Sequence, residues 1–181
     1  MSYLKKNIVL IGFMGTGKTS SGKLLARKMK RRFLDTDELI EKKAKLPIKE
    51  IFGKYGEKYF RRLEKKAIRI SAGKKIVVIS TGGGAVKDPL NIKRLRKNGY
   101  LIALVSNERA ILRRVSTQKD KRPLLDAGSN KESLKNLKSL LNVRLPLYKA
   151  AADLVLDTSR WTPKQTAKKI LCELKKESAN I

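Results

Sequence analysis

Short apolar runs alternate along the chain with longer segments whose apolar residues recur every three or four positions. Ile8, Val9, Leu10 and Ile11 are consecutive, the pattern of a strand buried on both faces. Lys75 to Ser80, with Ile76, Val77, Val78 and Ile79, and Tyr100 to Val105 read the same way. Phe33-Leu34 and Leu154 to Leu156 are shorter strand runs. Between them the spacing is helical. Ser20 to Lys30 carries Leu24, Leu25, Ala26 and Met29, and Glu38 opens a helix with Leu39 and Ile40. Glu57 to Ile70 places Phe60, Leu63, Ala67 and Ile70 on one stripe. Asn107 to Val115, Lys131 to Ala152 and Lys164 to about Lys176 continue the series.

Turn residues punctuate this pattern. Pro47 starts a helix containing Ile48, Ile51 and Phe52, which Gly53 and Gly56 are expected to break. Asp88-Pro89 starts another that stops at Asn98-Gly99, Pro146 is expected to kink or break the Lys131 helix, and Thr162-Pro163 caps the last. Strand and helix alternate five times, which predicts an α/β fold with a doubly wound, five-stranded parallel sheet covered by helices on both faces. With no repeat and no dividing linker, residues 1–181 read as a single domain. Two insertions interrupt it: helices over about 35–73, and a polar, basic loop over about 116–127 with the character of a lid.

The chemistry gathers where strands end. Gly12-Phe-Met-Gly-Thr-Gly-Lys-Thr19 matches the phosphate-loop pattern G-x-x-x-x-G-K-[ST], with a strand before it and a helix after it. Such a loop turns backbone N–H groups onto a phosphate at a helix N-terminus. Lys18 then reaches the β- and γ-phosphates, and the Thr19 hydroxyl binds Mg²⁺. Asp35 and Asp37 end the second strand, the edge where parallel sheets build their sites. One can hold Mg²⁺ through water and the other can serve a separate role, or the pair can simply cap a helix. Arg61 and Glu64 are three apart on one helix face, either an exposed pair or an arginine held to grip a carboxylate. Gly82-Gly83-Gly84 follows the third strand and permits close approach of backbone to a ligand.

Composition narrows the options. Without histidine and with Cys172 as its one cysteine, the chain excludes multi-ligand His/Cys metal sites and histidine-based triads. Cys172, among Ile170, Leu171 and Leu174, reads as a buried, inert thiol. No apolar run reaches a membrane span and the N-terminus leaves no room for a signal peptide, so a cytoplasmic protein is expected. The net charge of +28 is spread over nearly every helix, without the basic–aromatic interleaving that stacks bases. It reads as surface chemistry plus phosphate handling, with no specific nucleic-acid partner.

Taken together, the phosphate loop, Asp35-Thr36-Asp37, Gly56-Glu57 with Phe60-Arg61 and Glu64, and Gly82-Gly83-Gly84 resemble the shikimate kinase family in order and spacing. So do Arg122-Pro123-Leu124-Leu125, Arg144 with Leu147-Tyr148, and Asp157 through Pro163. The resemblance implies a P-loop kinase that moves the ATP γ-phosphoryl to the 3-hydroxyl of shikimate, in the pathway to chorismate. It also implies Mg²⁺ as cofactor and a monomeric enzyme. Its roles for this chain would be as follows. Gly15, Thr16, Gly17, Lys18, Thr19 and Ser20 cradle phosphates, while Thr19 and Asp35 place the metal. Asp37 orients or deprotonates the hydroxyl. Arg61, oriented by Glu64, and Arg144 grip the carboxylate. Gly82, Gly83 and Gly84 line the ligand, and Phe52 and Phe60 form an apolar wall. Arg122 closes from the lid as the second cation, beside Lys18, on the transferring phosphate. Pro163 lies against adenine, with Arg114, or alternatively Arg113, on its other face. A sibling gluconate- or nucleotide-type kinase, or a basic nucleic-acid-associated NTP-binding protein, remains the alternative.

Overall fold

A computed structural model describes residues 6–116 and 130–179. The strands are β1 (Asn7–Gly12), β2 (Arg32–Asp35), β3 (Val77–Ser80), β4 (Gly99–Val105) and β5 (Leu154–Asp157). They form one five-stranded sheet in the order β2-β3-β1-β4-β5. Every pairing is parallel, with Ile8 of the central strand opposite Val78 on one side and Tyr100 on the other. The helices are α1 (Lys18–Lys28), α2 (Thr36–Ala44), α3 (Ile48–Ala72), α4 (Pro89–Asn98), α5 (Glu108–Ser116), α6 (Asn130–Ala151) and α7 (Pro163–Ala179).

Alternation along β1 divides the core between two faces. Ile8 and Leu10 pack with Leu25 and Ala26 of α1 and with Ala167, Ile170 and Leu174 of α7. Val9 and Ile11 face the other way, onto Ile68 of α3, Leu95 of α4, Ile111 of α5 and Leu137 of α6. Burial on both sides is why the strand reads as an unbroken apolar run. A smaller cluster of Ile40, Ile51, Phe60 and Ala67 joins α2 to α3 and gives the helical excursion its own core. From β1 the chain goes first to β2 and β3 on one side, then to β4 and β5 on the other. The direction of winding therefore reverses at β1, and its carboxyl end, with the phosphate loop, sits at the crevice this creates.

Several expectations change. Ile76 lies outside β3, with φ 57° and half its surface exposed, so the buried run starts at Val77. Only Gly56 (φ 73°, ψ 174°) leaves helical geometry inside α3, whereas Gly53 stays helical. Ile70 is 46% exposed because the buried positions Phe60, Glu64, Ala67, Ile68 and Ser71 centre the stripe about a quarter-turn away from it. Cys172 is exposed, not buried. Ala167, Ile170 and Leu174 define the inner face of α7, and Cys172 falls on the opposite side. The α6 helix is not broken at Pro146 but continues through it. The lid over about 116–127, with Arg122, lies outside the described residues apart from Ser116 at the end of α5.

Candidate active site

The phosphate loop connects β1 to α1, and Gly17, with φ 90°, stands at the head of the helix. A left-handed residue there is what lets the chain turn from strand into helix so tightly. Lys18 is buried, and its Nζ donates to the Phe13 carbonyl at 2.8 Å, folding the ammonium back over the loop. The Thr16 hydroxyl donates to the same carbonyl at 2.8 Å. The Thr19 hydroxyl donates to Asp35 Oδ2 at 2.8 Å and lies 3.5 Å from Ser80 Oγ. Asp35 Oδ1 meanwhile accepts the Asp37 N–H at 3.0 Å and caps α2. The carboxylate that caps α2 is thus also the one that holds the Thr19 hydroxyl. Among the described residues no group of three or more His, Cys, Asp or Glu could cage a metal. One hydroxyl beside one carboxylate, both hard oxygen donors, instead fits Mg²⁺ held jointly with substrate phosphates.

A second cluster is built where α2, α3 and the glycine loop meet. Asp37 Oδ1 is buried with no hydrogen-bond partner. Burial, reinforced by the charge of Asp35 and opposed by Lys18, pushes its carboxyl up to about 7. Gly82 lies against it: a Cβ there would come 2.6 Å from Asp37 Oδ1 and 3.1 Å from Glu64 Oε1. The Gly82 N–H is taken by the Thr36 hydroxyl at 3.0 Å, which anchors the glycine loop to the Asp35-Thr36-Asp37 turn. Arg61 Nη1 donates to Glu64 Oε2 at 2.8 Å, and its Nε and Nη2 reach Glu57 Oε1 at 3.1 and 3.0 Å. Burial raises the Glu64 carboxyl while Arg61 and Arg144 pull it back down. Arg144 is buried, 5.7 Å above the Phe13 ring. Tyr148, one turn further along α6, donates to the Gly83 carbonyl at 2.5 Å and hydrogen-bonds Arg144. Phe52 and Phe60 stack at 4.5 Å between centroids, and the Arg61 guanidinium lies 5.2 Å over Phe60.

The opposite rim is organised by Arg114 on α5. Its Nη2 donates to the carbonyls of Thr158 at 2.5 Å and Trp161 at 3.1 Å, and its Nη1 to the Gly15 carbonyl at 3.1 Å. Burial, helped by the neighbouring Arg113, lowers its basicity. Pro163 is the first residue of α7, exposed beside this loop. Thr162 and Gln165 form a capping box: the Gln165 carboxamide accepts the Thr162 N–H at 2.8 Å, and the Thr162 hydroxyl accepts the Gln165 N–H at 3.3 Å.

Residues singled out for their spacing thus gather around the phosphate loop: Lys18, Thr19 and Asp35 at its helix end, and Asp37, Arg61, Glu64 and Gly82 to Gly84 beside it. Arg144 joins them from α6, and Arg114 and Pro163 border the other side. Ser20 is exposed on the first turn of α1. Reading by spacing missed Lys87, and it quoted Thr36, Glu57, Tyr148 and Thr158 without a role in the site. Thr36, Lys87, Tyr148 and Thr158 act by contacts between residues distant in sequence, such as Lys87 Nζ to Glu57 Oε1 at 3.4 Å, for which a local pattern carries no signal. Glu57 holds Arg61 at the i,i+4 spacing of one helix, which the sequence does carry.

The family model for "Shikimate kinase" matches residues 14–175. A shikimate kinase of Thermodesulfovibrio yellowstonii is 47% identical over 173 residues, 96% of this chain and 97% of that protein. One of Thermoanaerobacter pseudethanolicus is 47% identical over 166 residues, 92% of this chain and 94% of the relative. Among solved structures, a shikimate kinase from Acinetobacter baumannii in complex with shikimate superposes with a TM-score of 0.90 at 34% identity, covering 97% of this chain and 96% of that one. With these matches spanning nearly its whole length, the chain belongs to the shikimate kinase family.

Proposed function

We propose that this protein transfers the γ-phosphoryl group of ATP to the 3-hydroxyl of shikimate, giving shikimate 3-phosphate and ADP. One observation carries the reading: a carboxylate with its proton affinity raised to about 7, Asp37, stands in the same cleft as the Arg61–Glu64 pair and buried Arg144, beside the lysine of a phosphate loop. Arg61 and Arg144 are the cations for the acceptor's carboxylate. Glu64 holds Arg61, and Glu57 braces its Nε edge. Phe52 and Phe60 offer the ring an apolar wall. Asp37 accepts the proton of the attacking hydroxyl as its oxygen bonds to the γ-phosphorus and the bond to the bridging β,γ-oxygen breaks. Lys18 leaves the Phe13 carbonyl to meet the phosphates, and charge on the transferring group is offset by it and by Arg122 of the lid. Thr19 and Asp35 are the residues that hold Mg²⁺. Bound there, the ion supplies charge neutralisation to the nucleotide phosphates. Arg114 and Pro163 border the adenine site. The protein acts as a cytoplasmic monomer formed by one domain; among the described residues no helix is long and apolar enough to cross a membrane.

A coupled assay of ADP release with ATP, Mg²⁺ and shikimate tests the proposal, with gluconate, nucleoside monophosphates and DNA as alternative additions. Shikimate-dependent turnover is expected. Turnover with gluconate or a nucleotide and not with shikimate would point to a sibling kinase, and stimulation by DNA alone to a nucleic-acid-linked role.

A further inference from the structure

Thr158 follows β5 and is 1% exposed, enclosed between the phosphate loop and the end of β4. Its hydroxyl lies 3.0 Å from the Thr16 carbonyl and 3.1 Å from the Val105 carbonyl. Its backbone N–H already donates to Val105 O at 2.8 Å. A hydroxyl has one proton to give. Val105 O is supplied by the backbone, so the Thr16 carbonyl is the acceptor that depends on the side chain. That carbonyl is in the middle of the phosphate loop. The Thr16–Gly17 peptide is planar and trans, so its C=O and N–H point in opposite directions. Fixing the carbonyl towards Thr158 therefore fixes where the Gly17 N–H points. The restraint matters here because Gly17, at φ 90°, gives the peptide little steric resistance to rotation. Arg114 adds a second tie between the same two segments, joining Thr158 O at 2.5 Å to Gly15 O at 3.1 Å.

We infer that Thr158 is a positioning residue of the phosphate loop: its hydroxyl locks the Thr16–Gly17 peptide so that the Gly17 N–H is aimed at the nucleotide phosphates before they arrive. The inference rests on the ATP reading of this loop. It goes further by giving a residue of the loop beside the adenine rim a role in holding phosphate rather than base. Preorganisation of this kind shows in binding, because an unrestrained peptide must be ordered when the ligand binds.

The test is calorimetric titration of the full chain and its Thr158→Val and Thr158→Ser variants with ADP, inorganic pyrophosphate and adenosine, together with steady-state kinetics. Valine keeps the shape and removes the hydroxyl; serine restores it. For Thr158→Val, affinity for ADP and for pyrophosphate should fall by the same factor, about tenfold. Adenosine affinity and the KM for shikimate should be unchanged, the KM for ATP raised, and Thr158→Ser within about twofold of the parent. Unchanged pyrophosphate affinity in a folded Thr158→Val protein overturns the inference. So does a loss confined to adenosine, an equal rise in both KM values, or a serine variant as impaired as valine. If valine prevents folding, Thr158→Cys takes the same titrations under the same criteria. A parent protein that binds neither ADP nor pyrophosphate would instead overturn the nucleotide reading of the loop, and the inference with it.

Discussion

Asp37 carries the clearest chemical consequence of burial. Its folded pKa of about 7 lies above its ordinary 3.8. The folded protein therefore binds a proton at this carboxyl over an interval in which the unfolded chain has released it. Stability contributed by the protonated form is present at low pH and is lost as pH rises between the two values. Asp37→Asn should melt several degrees above the parent at pH 8, with the gap shrinking as pH falls towards 4, in thermal unfolding followed by circular dichroism. With the same group as the proposed proton acceptor, the free enzyme's kcat/KM for shikimate should fall about tenfold per pH unit below about 7. A flat profile there would remove Asp37 as the proton acceptor. Lys18→Ala should lower kcat by at least about a hundredfold with the fold intact, because it deletes charge stabilisation of the transferring group. Near-normal kcat would contradict the role. Arg61→Ala should raise the KM for shikimate by about a hundredfold and the KM for ATP by less than about threefold, since its fork faces the acceptor side. Equal effects on both ligands would make Arg61 a structural residue.

The excursion formed by α2 and α3 shows how local breaks serve geometry. At Gly56 a left-handed residue interrupts α3, and Glu57 starts the continuing segment four positions before Arg61. The guanidinium is thereby held on one edge by Glu57 and at Nη1 by Glu64, both from its own helix. Its other neighbour is the glycine loop. A Cβ on Gly84 would overlap Arg61 Nη1 and reach Nη2 at 2.7 Å. The obstructing atoms are the tip of a long side chain, so a methyl there moves the guanidinium rather than the backbone. Gly84→Ala should therefore raise the KM for shikimate about tenfold while ATP binding and melting temperature stay nearly unchanged. A large loss of thermal stability with no change in KM would refute that account. On α7 the face lining the core is formed by Ala167, Ile170 and Leu174. The exposure of Cys172 shows that apolar neighbours in sequence do not place a residue on that face.

Taken as a whole, the molecule carries 44 Lys and Arg against 16 Asp and Glu. A surface pair such as Lys23 with Glu38 at 2.8 Å, both side chains more than half exposed, contributes little. Unpaired like charge repels across a small fold, and salt screens it beyond about 10 Å at 0.1 M. Raising NaCl from about 0.05 to about 0.5 M should therefore raise the melting temperature by a few degrees, as screening of net repulsion outweighs weakening of a few exposed pairs. A decrease would mean that the ion pairs dominate. The same positive field favours both proposed substrates, each an anion, so the KM for ATP should rise with salt over that range.

The sequence was sufficient for everything written in local periodicity or a short motif. Strands buried on both faces read as unbroken apolar runs, the five strand–helix alternations imply a parallel sheet, and the phosphate loop announces itself at each invariant position from Gly12 to Thr19. Those features depend on residues a few positions apart. The strand order β2-β3-β1-β4-β5, which puts β1 at the reversal and opens a crevice above it, required the folded chain. So did the contacts that aim the site: Thr36 on the Gly82 N–H, Tyr148 on Gly83, Thr158 on Thr16 and Arg114 on Gly15. These partners lie from 46 to 142 positions apart. Their pairing is set by how layers pack, and no spacing along the chain encodes it.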